Sequence, residues 1–161
     1  MKLFKFNNLW LVIGALFLLI GCVSAPNNQV DSQAQKFMRG SFRLASVTYP
    51  GSDFIKVQSF DFADSQCWIG SQWSFVANNN SGNVQMIGSG SCSSLNAKIT
   101  WFVNKEGNVV LKFIDEGMKA KRVKDGYVLQ VRNANDNGFQ WVDKINVGNK
   151  PTDVVYQFVK N

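Results

Sequence analysis

The chain has 161 residues, 45% of them apolar, a formal charge of +6, three cysteines and no histidine. That length suits a single domain with a buried core. The lack of histidine excludes Ser-His-Asp and Cys-His nucleophilic arrangements and the H-E-x-x-H metal site.

Lys2 and Lys5 precede an apolar run from Leu9 to Ile20, shorter than the roughly 20 residues that a membrane-spanning helix needs. It reads as the h-region of a signal peptide. Leu19-Ile20-Gly21-Cys22 closes the run and resembles the lipobox of bacterial lipoproteins, in which the cysteine is acylated and becomes the new N-terminus. The expected organisation is a signal peptide over 1–21, a lipidated N-terminus with a flexible tether over 22–36, and one domain over 37–161. The resemblance implies a lipid anchor at Cys22 in the cell envelope of a Gram-negative bacterium, and Val23, where Asp would favour retention, points to the outer membrane.

Removing 1–21 leaves fifteen basic against eleven acidic side chains. These charges are dispersed apart from Lys119, Lys121, Arg122 and Lys124, and in that compartment they argue against a nucleic-acid partner. With Cys22 acylated, Cys67 and Cys92 remain as an even pair in an oxidising environment, which favours a disulfide. Two cysteines without histidine do not close a four-ligand N/S zinc site unless carboxylates complete it, and no cofactor is expected. In the tether, Asp31 is placed to cap a short helix running to Met38 and ended by Gly40.

From Ser41 onward the chain reads as short strands punctuated by turn residues. The predicted strands are Ser41 to Tyr49, Phe54 to Phe62, Gln72 to Ala77, Asn83 to Ser89, Ala97 to Val103, Asn108 to Ile114, Lys119 to Val123, Tyr127 to Asn133, Phe139 to Ile145 and Asp153 to Val159. Trp73, Phe75 and Ala77 alternate with Gln72, Ser74 and Val76, the period-two pattern of a strand with one buried face. The run from Asn78 to Gly82 turns that strand back on Asn83 to Ser89, with Cys67 and Cys92 just outside the pair. The fold class is all-β, an antiparallel up-and-down barrel of about eight to ten strands that leaves no exposed edge, with a β-sandwich as the alternative.

The aromatic and aliphatic residues Trp73, Phe75, Trp101, Leu111, Phe113, Leu129, Trp141 and Tyr156 fall on the inward faces. In a barrel of this size such side chains either fill the centre or line a cavity for one small ligand. Alternation does not separate the two outcomes.

Cys67-x-x-Gly70-Ser71-x-Trp73, Cys92, Ile99-x-Trp101, Lys119-Ala120-Lys121-x-Val123-x-x-Gly126-Tyr127-x-Leu129 and Val155-Tyr156-Gln157-Phe158-x-Lys160 together resemble the small lipocalin-like lipoproteins of the Bacteroidetes. The likeness runs from about Gly40 to Lys160 and implies a lipid-anchored lipocalin-like barrel. Gly40-Ser41-Phe42 keeps the spacing of the lipocalin Gly-x-Trp with Phe in place of Trp, and the last strand has no arginine to pack on that position. The resemblance therefore implies the architecture and transfers no binding residue.

Asp61 with Asp64, and Asp115 with Glu116, are the carboxylate pairs available for acid-base work. Each lies at a strand end or turn, where exposed acids are common, and no catalytic residue is expected. Gly88-Ser89-Gly90-Ser91 lacks the lysine and helix of a phosphate loop. Two functions remain: a barrel that binds a small hydrophobic or amphipathic molecule, and a solid barrel whose outer surface binds a protein, glycan or lipid headgroup. For the second, Lys119, Lys121, Arg122 and Lys124 form the candidate basic patch.

Overall fold

The structure is a computed structural model and describes residues 33–52, 55–114 and 126–161. Residues 33–37 form one short helical stretch, with Met38 N–H bonded to the Ala34 carbonyl, and Gly40 adopts a φ of 117° as the chain swings into the first strand. Apart from a 3-10 turn at Ser65–Trp68, the other described elements are β: β1 Gly40–Thr48, β2 Gln58–Ser59, β3 Ala63–Asp64, β4 Gln72–Val76, β5 Ser81–Met86, β6 Leu95–Val103, β7 Asn108–Ile114, β8 Tyr127–Asn135, β9 Gly138–Val147 and β10 Lys150–Lys160.

Eight of these strands close into an antiparallel barrel in the order β1-β10-β9-β8-β7-β6-β5-β4, and β2 with β3 form a separate two-stranded sheet. From β4 to β10 each strand pairs with the next in sequence, and β1 closes the ring by pairing with both β4 and β10. Closure satisfies every edge, which is why short strands and tight turns suffice. The sandwich alternative is thereby excluded.

Alternation sets the faces. Thr152, Val154, Tyr156 and Phe158 of β10 are buried while their neighbours are not, and Trp73 and Phe75 do the same on β4. One core results, built from the inward residues of the eight strands together with Met38, Val57, Phe60 and Trp68 from outside the barrel wall. Gly82 is needed within β5 because a Cβ there would run into the Ser74 carbonyl oxygen and the Ile99 side chain.

Phe54, the first residue of the strand expected over Phe54 to Phe62, lies outside the described residues, and over 55–62 that strand does not form. Only Gln58–Ser59 is extended, and the chain reverses at Phe60 and Asp61, whose φ values are 54° and 51°. Phe62 N–H closes that turn on the Ser59 carbonyl. Apolar residues spaced two apart also suit a hairpin whose tip is buried, and here burial of Phe60 wins over strand extension. Likewise β5 starts two residues earlier than expected and ends at Met86, since the chain bends through Ser89–Cys92, where Cys92 N–H bonds to the Ser89 carbonyl. The strand expected over Lys119 to Val123, and Asp31 as a cap, lie outside the described residues.

Candidate binding site

Strand direction places the connection from β1 to β4, the connection from β5 to β6 and the β9–β10 turn at one end of the barrel. Of the 23 residues between β1 and β4, the described ones, 49–52 and 55–71, cover that end. Their last part is firmly held. A 3-10 turn, Ser65–Trp68, is capped by the Asp64 carboxylate, which accepts from Gln66 N–H at 2.9 Å. Cys67 is bonded to Cys92, tying this turn to the β5–β6 connection. Gly70 N–H donates to the Leu44 carbonyl and Leu44 N–H to the Ser71 carbonyl, so the segment is stitched to β1. Ser71 Oγ donates to the Trp68 carbonyl at 2.6 Å and accepts from Trp73 Nε1 at 2.7 Å.

The preceding hairpin, β2–β3, is held differently. Its ladder has two pairs, Gln58 with Asp64 and Ser59 with Ala63. Left-handed backbone at a non-glycine residue costs roughly 1–3 kcal/mol, and Phe60 and Asp61 both adopt it. What keeps the tip in place is side-chain contact with the barrel. The Phe60 ring is surrounded by Trp68, Trp73, Phe113, Tyr127 and Tyr156, with centroids 4.9 to 6.1 Å away. The chain has three tyrosines, and all three hydroxyls meet this region. Tyr49 pairs with Ser65, Tyr127 donates to Asp61 at 2.9 Å, and Tyr156 is 2.6 Å from Ser59 Oγ.

Burial pushes the Tyr156 phenol above its ordinary range; the Ser59 hydrogen bond opposes this, and the nearby Asp143 carboxylate adds to it. Asp143 shares the inward face of β9 with Phe139 and Trp141. Its carboxyl is raised by desolvation, with partial relief from the Lys144 backbone N–H. Trp68 and Trp141 each bury an indole N–H that has no hydrogen-bond partner among the described residues.

Of the sequence-predicted interior residues, Trp73, Phe75, Trp101, Leu111, Leu129, Trp141 and Tyr156 are buried, and Phe113 is partly buried against them. In the middle of the barrel they touch one another. Trp73 lies 5.5 Å from Trp141 and Phe75 lies 5.5 Å from Trp101, and Phe139 and Phe158 stack at 4.7 Å. The residues brought to the sealed end are Trp73, Phe113 and Tyr156. Phe60, Trp68, Tyr49 and Ser59 belong to the same site and were not singled out from the sequence, where no local pattern joins them to Tyr127 and Tyr156.

Asp61 and Asp64, considered above as an acid-base pair, accept hydrogen bonds from Tyr127 and Gln66 respectively. Asp115 and Glu116, the basic residues Lys119, Lys121, Arg122 and Lys124, and Cys22 lie outside the described residues. Among the described residues no group of three or more His, Cys, Asp or Glu side chains is placed to hold a metal ion, and no helix is long and apolar enough to cross a membrane. No protein-family model, curated protein or solved structure matches the chain.

Proposed function

We propose that the protein is a non-catalytic binding barrel, held at the bacterial outer membrane by a lipid on Cys22, that takes up a small hydrophobic or amphipathic molecule at its sealed end. The observation that carries this reading is how that end is closed. A strand interior fills its own space, but here the last aromatic position is filled by Phe60 from a hairpin outside the barrel sheet. Rings with tyrosine hydroxyls at their edge surround the space that Phe60 fills, the composition usual for the lining of a small-molecule site. The Leu19-Ile20-Gly21-Cys22 motif supports the anchor.

The ring contacts across the mid-barrel support a second reading, a solid barrel that meets a protein, glycan or lipid headgroup through its outer surface. Native mass spectrometry of the full chain, released from its own cells in mild detergent and followed by organic extraction, separates the two. A stoichiometric small molecule beyond the anchor lipid supports the first reading. Its absence, together with a protein or glycan that co-purifies in constant ratio, overturns it in favour of the second. Loss of membrane association in Cys22→Ser tests the anchor.

A further inference from the structure

The hairpin tip delivers three consecutive groups to the barrel: the Ser59 hydroxyl to Tyr156, the Phe60 ring to the aromatic box, and the Asp61 carboxylate to the Tyr127 hydroxyl. The ring is 7% exposed, whereas Asp61 is at the surface. An apolar ring held inward with a carboxylate at the lip is the outline of a small amphipathic molecule. We propose that this tip occupies the protein's own ligand site, and that the ligand is an aromatic carboxylic acid whose ring replaces Phe60 and whose carboxylate takes the Tyr127 hydroxyl from Asp61. This deepens the small-molecule reading above and rests on it.

The hairpin is the part built to yield. Its backbone is strained at two successive residues, it shares no ladder with the barrel, and its base is closed by a single Ser65 N–H to Val57 carbonyl bond. Immediately beyond it, the disulfide and the Leu44 bonds fix the 66–71 segment, so Trp68 stays as a wall of the box when the tip leaves. An open cleft of about 550 Å³, lined in part by Tyr49, Pro50, Ile55 and Gln66, runs beside the hairpin's attachment.

The lip favours an acid because Tyr127 donates there, and the excess of basic over acidic side chains that remains after removal of 1–21, fifteen against eleven, attracts anions at long range. Trp68 adds a buried N–H that has no hydrogen-bond partner among the described residues and that an acceptor on a ligand ring can use. Asp143 shares the inward face of β9 with Trp141 and lies close enough to Tyr156 to act on its phenol, which disfavours an acid that enters carboxylate first. Ring-first binding is the orientation left. An amine would instead use Asp143, and it is the contrasting probe.

The test titrates the full chain in detergent with 3-phenylpropionate, 3-phenylpropanol and 3-phenylpropylamine by calorimetry, and follows amide exchange over 58–64. The acid is expected to bind at one per chain and more tightly than the other two. Phe60→Ala removes the competing ring and should tighten the acid about tenfold, while Tyr127→Phe should weaken it about tenfold and leave the alcohol nearly unchanged, since hydrogen bonds to charged acceptors are the strong ones. In the wild-type protein, saturating acid should speed exchange over 58–64. Equal affinity for all three probes, or preference for the amine, overturns the ligand class and leaves the small-molecule reading standing. No binding to wild type or Phe60→Ala, with exchange over 58–64 unchanged, overturns displacement of the tip; a small molecule extracted from native protein would then still support a binding barrel with another site. If Phe60→Ala does not fold, the wild-type exchange result decides.

Discussion

The ladder between β9 and β10 runs through ten residue pairs, from Val147–Lys150 to Gly138–Val159, whereas β2 and β3 share two. Both regions bury aromatic rings in the same core. The wall is held by backbone hydrogen bonds distributed around a closed ring, so no one side chain decides its course. The hairpin tip is held to the barrel by side chains, and against its own backbone preference at Phe60 and Asp61. Opening free energy need not be uniform across one domain. Here the difference falls between the wall and the segment that seals it.

The largest effect should come from the wall. Trp73 is 1% exposed and meets rings of both the hairpin and the mid-barrel. Trp73→Ala should lower stability by about 3–5 kcal/mol, with hairpin and wall lost in a single urea transition. A second transition would mean that the two regions are less coupled than their shared core implies.

Next comes the cross-link. Replacing Cys67 and Cys92 by serine opens a loop of sequence separation 25, which should cost roughly 3–4 kcal/mol. Amide exchange should rise first in 58–71 and only later in β8 to β10. Equal acceleration everywhere would break the distinction between wall and seal.

Tyr156→Phe acts on the hairpin directly, since it leaves the buried Ser59 hydroxyl without its partner, for a loss of about 1–3 kcal/mol. It should also change the alkaline limb. The folded state holds the Tyr156 proton more tightly than the unfolded state does, so wild-type stability should fall as pH rises above about 10. The variant should show a flatter limb in urea unfolding.

The smallest effect is at Asp143, half-buried on β9. Its raised carboxyl binds a proton in the folded state more readily than in the unfolded state. That makes stability fall as pH rises through the carboxylate range, so the charged form is a penalty at neutral pH. Asp143→Asn should raise the melting temperature at pH 7 and change it little at pH 3. A loss at pH 7 would show that the carboxylate has a stabilising partner.

Much of the wall was legible because inward residues recur every second position. Phe139 and Trp141, Val154, Tyr156 and Phe158, and Val109 and Leu111 carry that period without interruption, and all are buried. The Cys67–Cys92 bond was legible from the even pair left beside Cys22 and is present. Phe60 was not legible. A phenylalanine in a left-handed turn violates the propensity that sequence reading relies on, and Val57, Ser59 and Asp61 around it fit a strand equally well. The site's tyrosines sit at positions 49, 127 and 156, and nothing local says that they converge.

By itself the sequence determined an antiparallel all-β fold with an aromatic interior, because side-chain period and turn chemistry act over neighbouring residues. It also determined where two cysteines remain to pair. Only the tertiary structure decided that the ring closes with eight strands and that β1 is the strand joining β4 to β10, since register between distant strands is a property of the whole sheet. It alone decided that the interior is sealed by Phe60, because the five rings around that side chain come from five separate elements and their combined burial outweighs the strain of one turn.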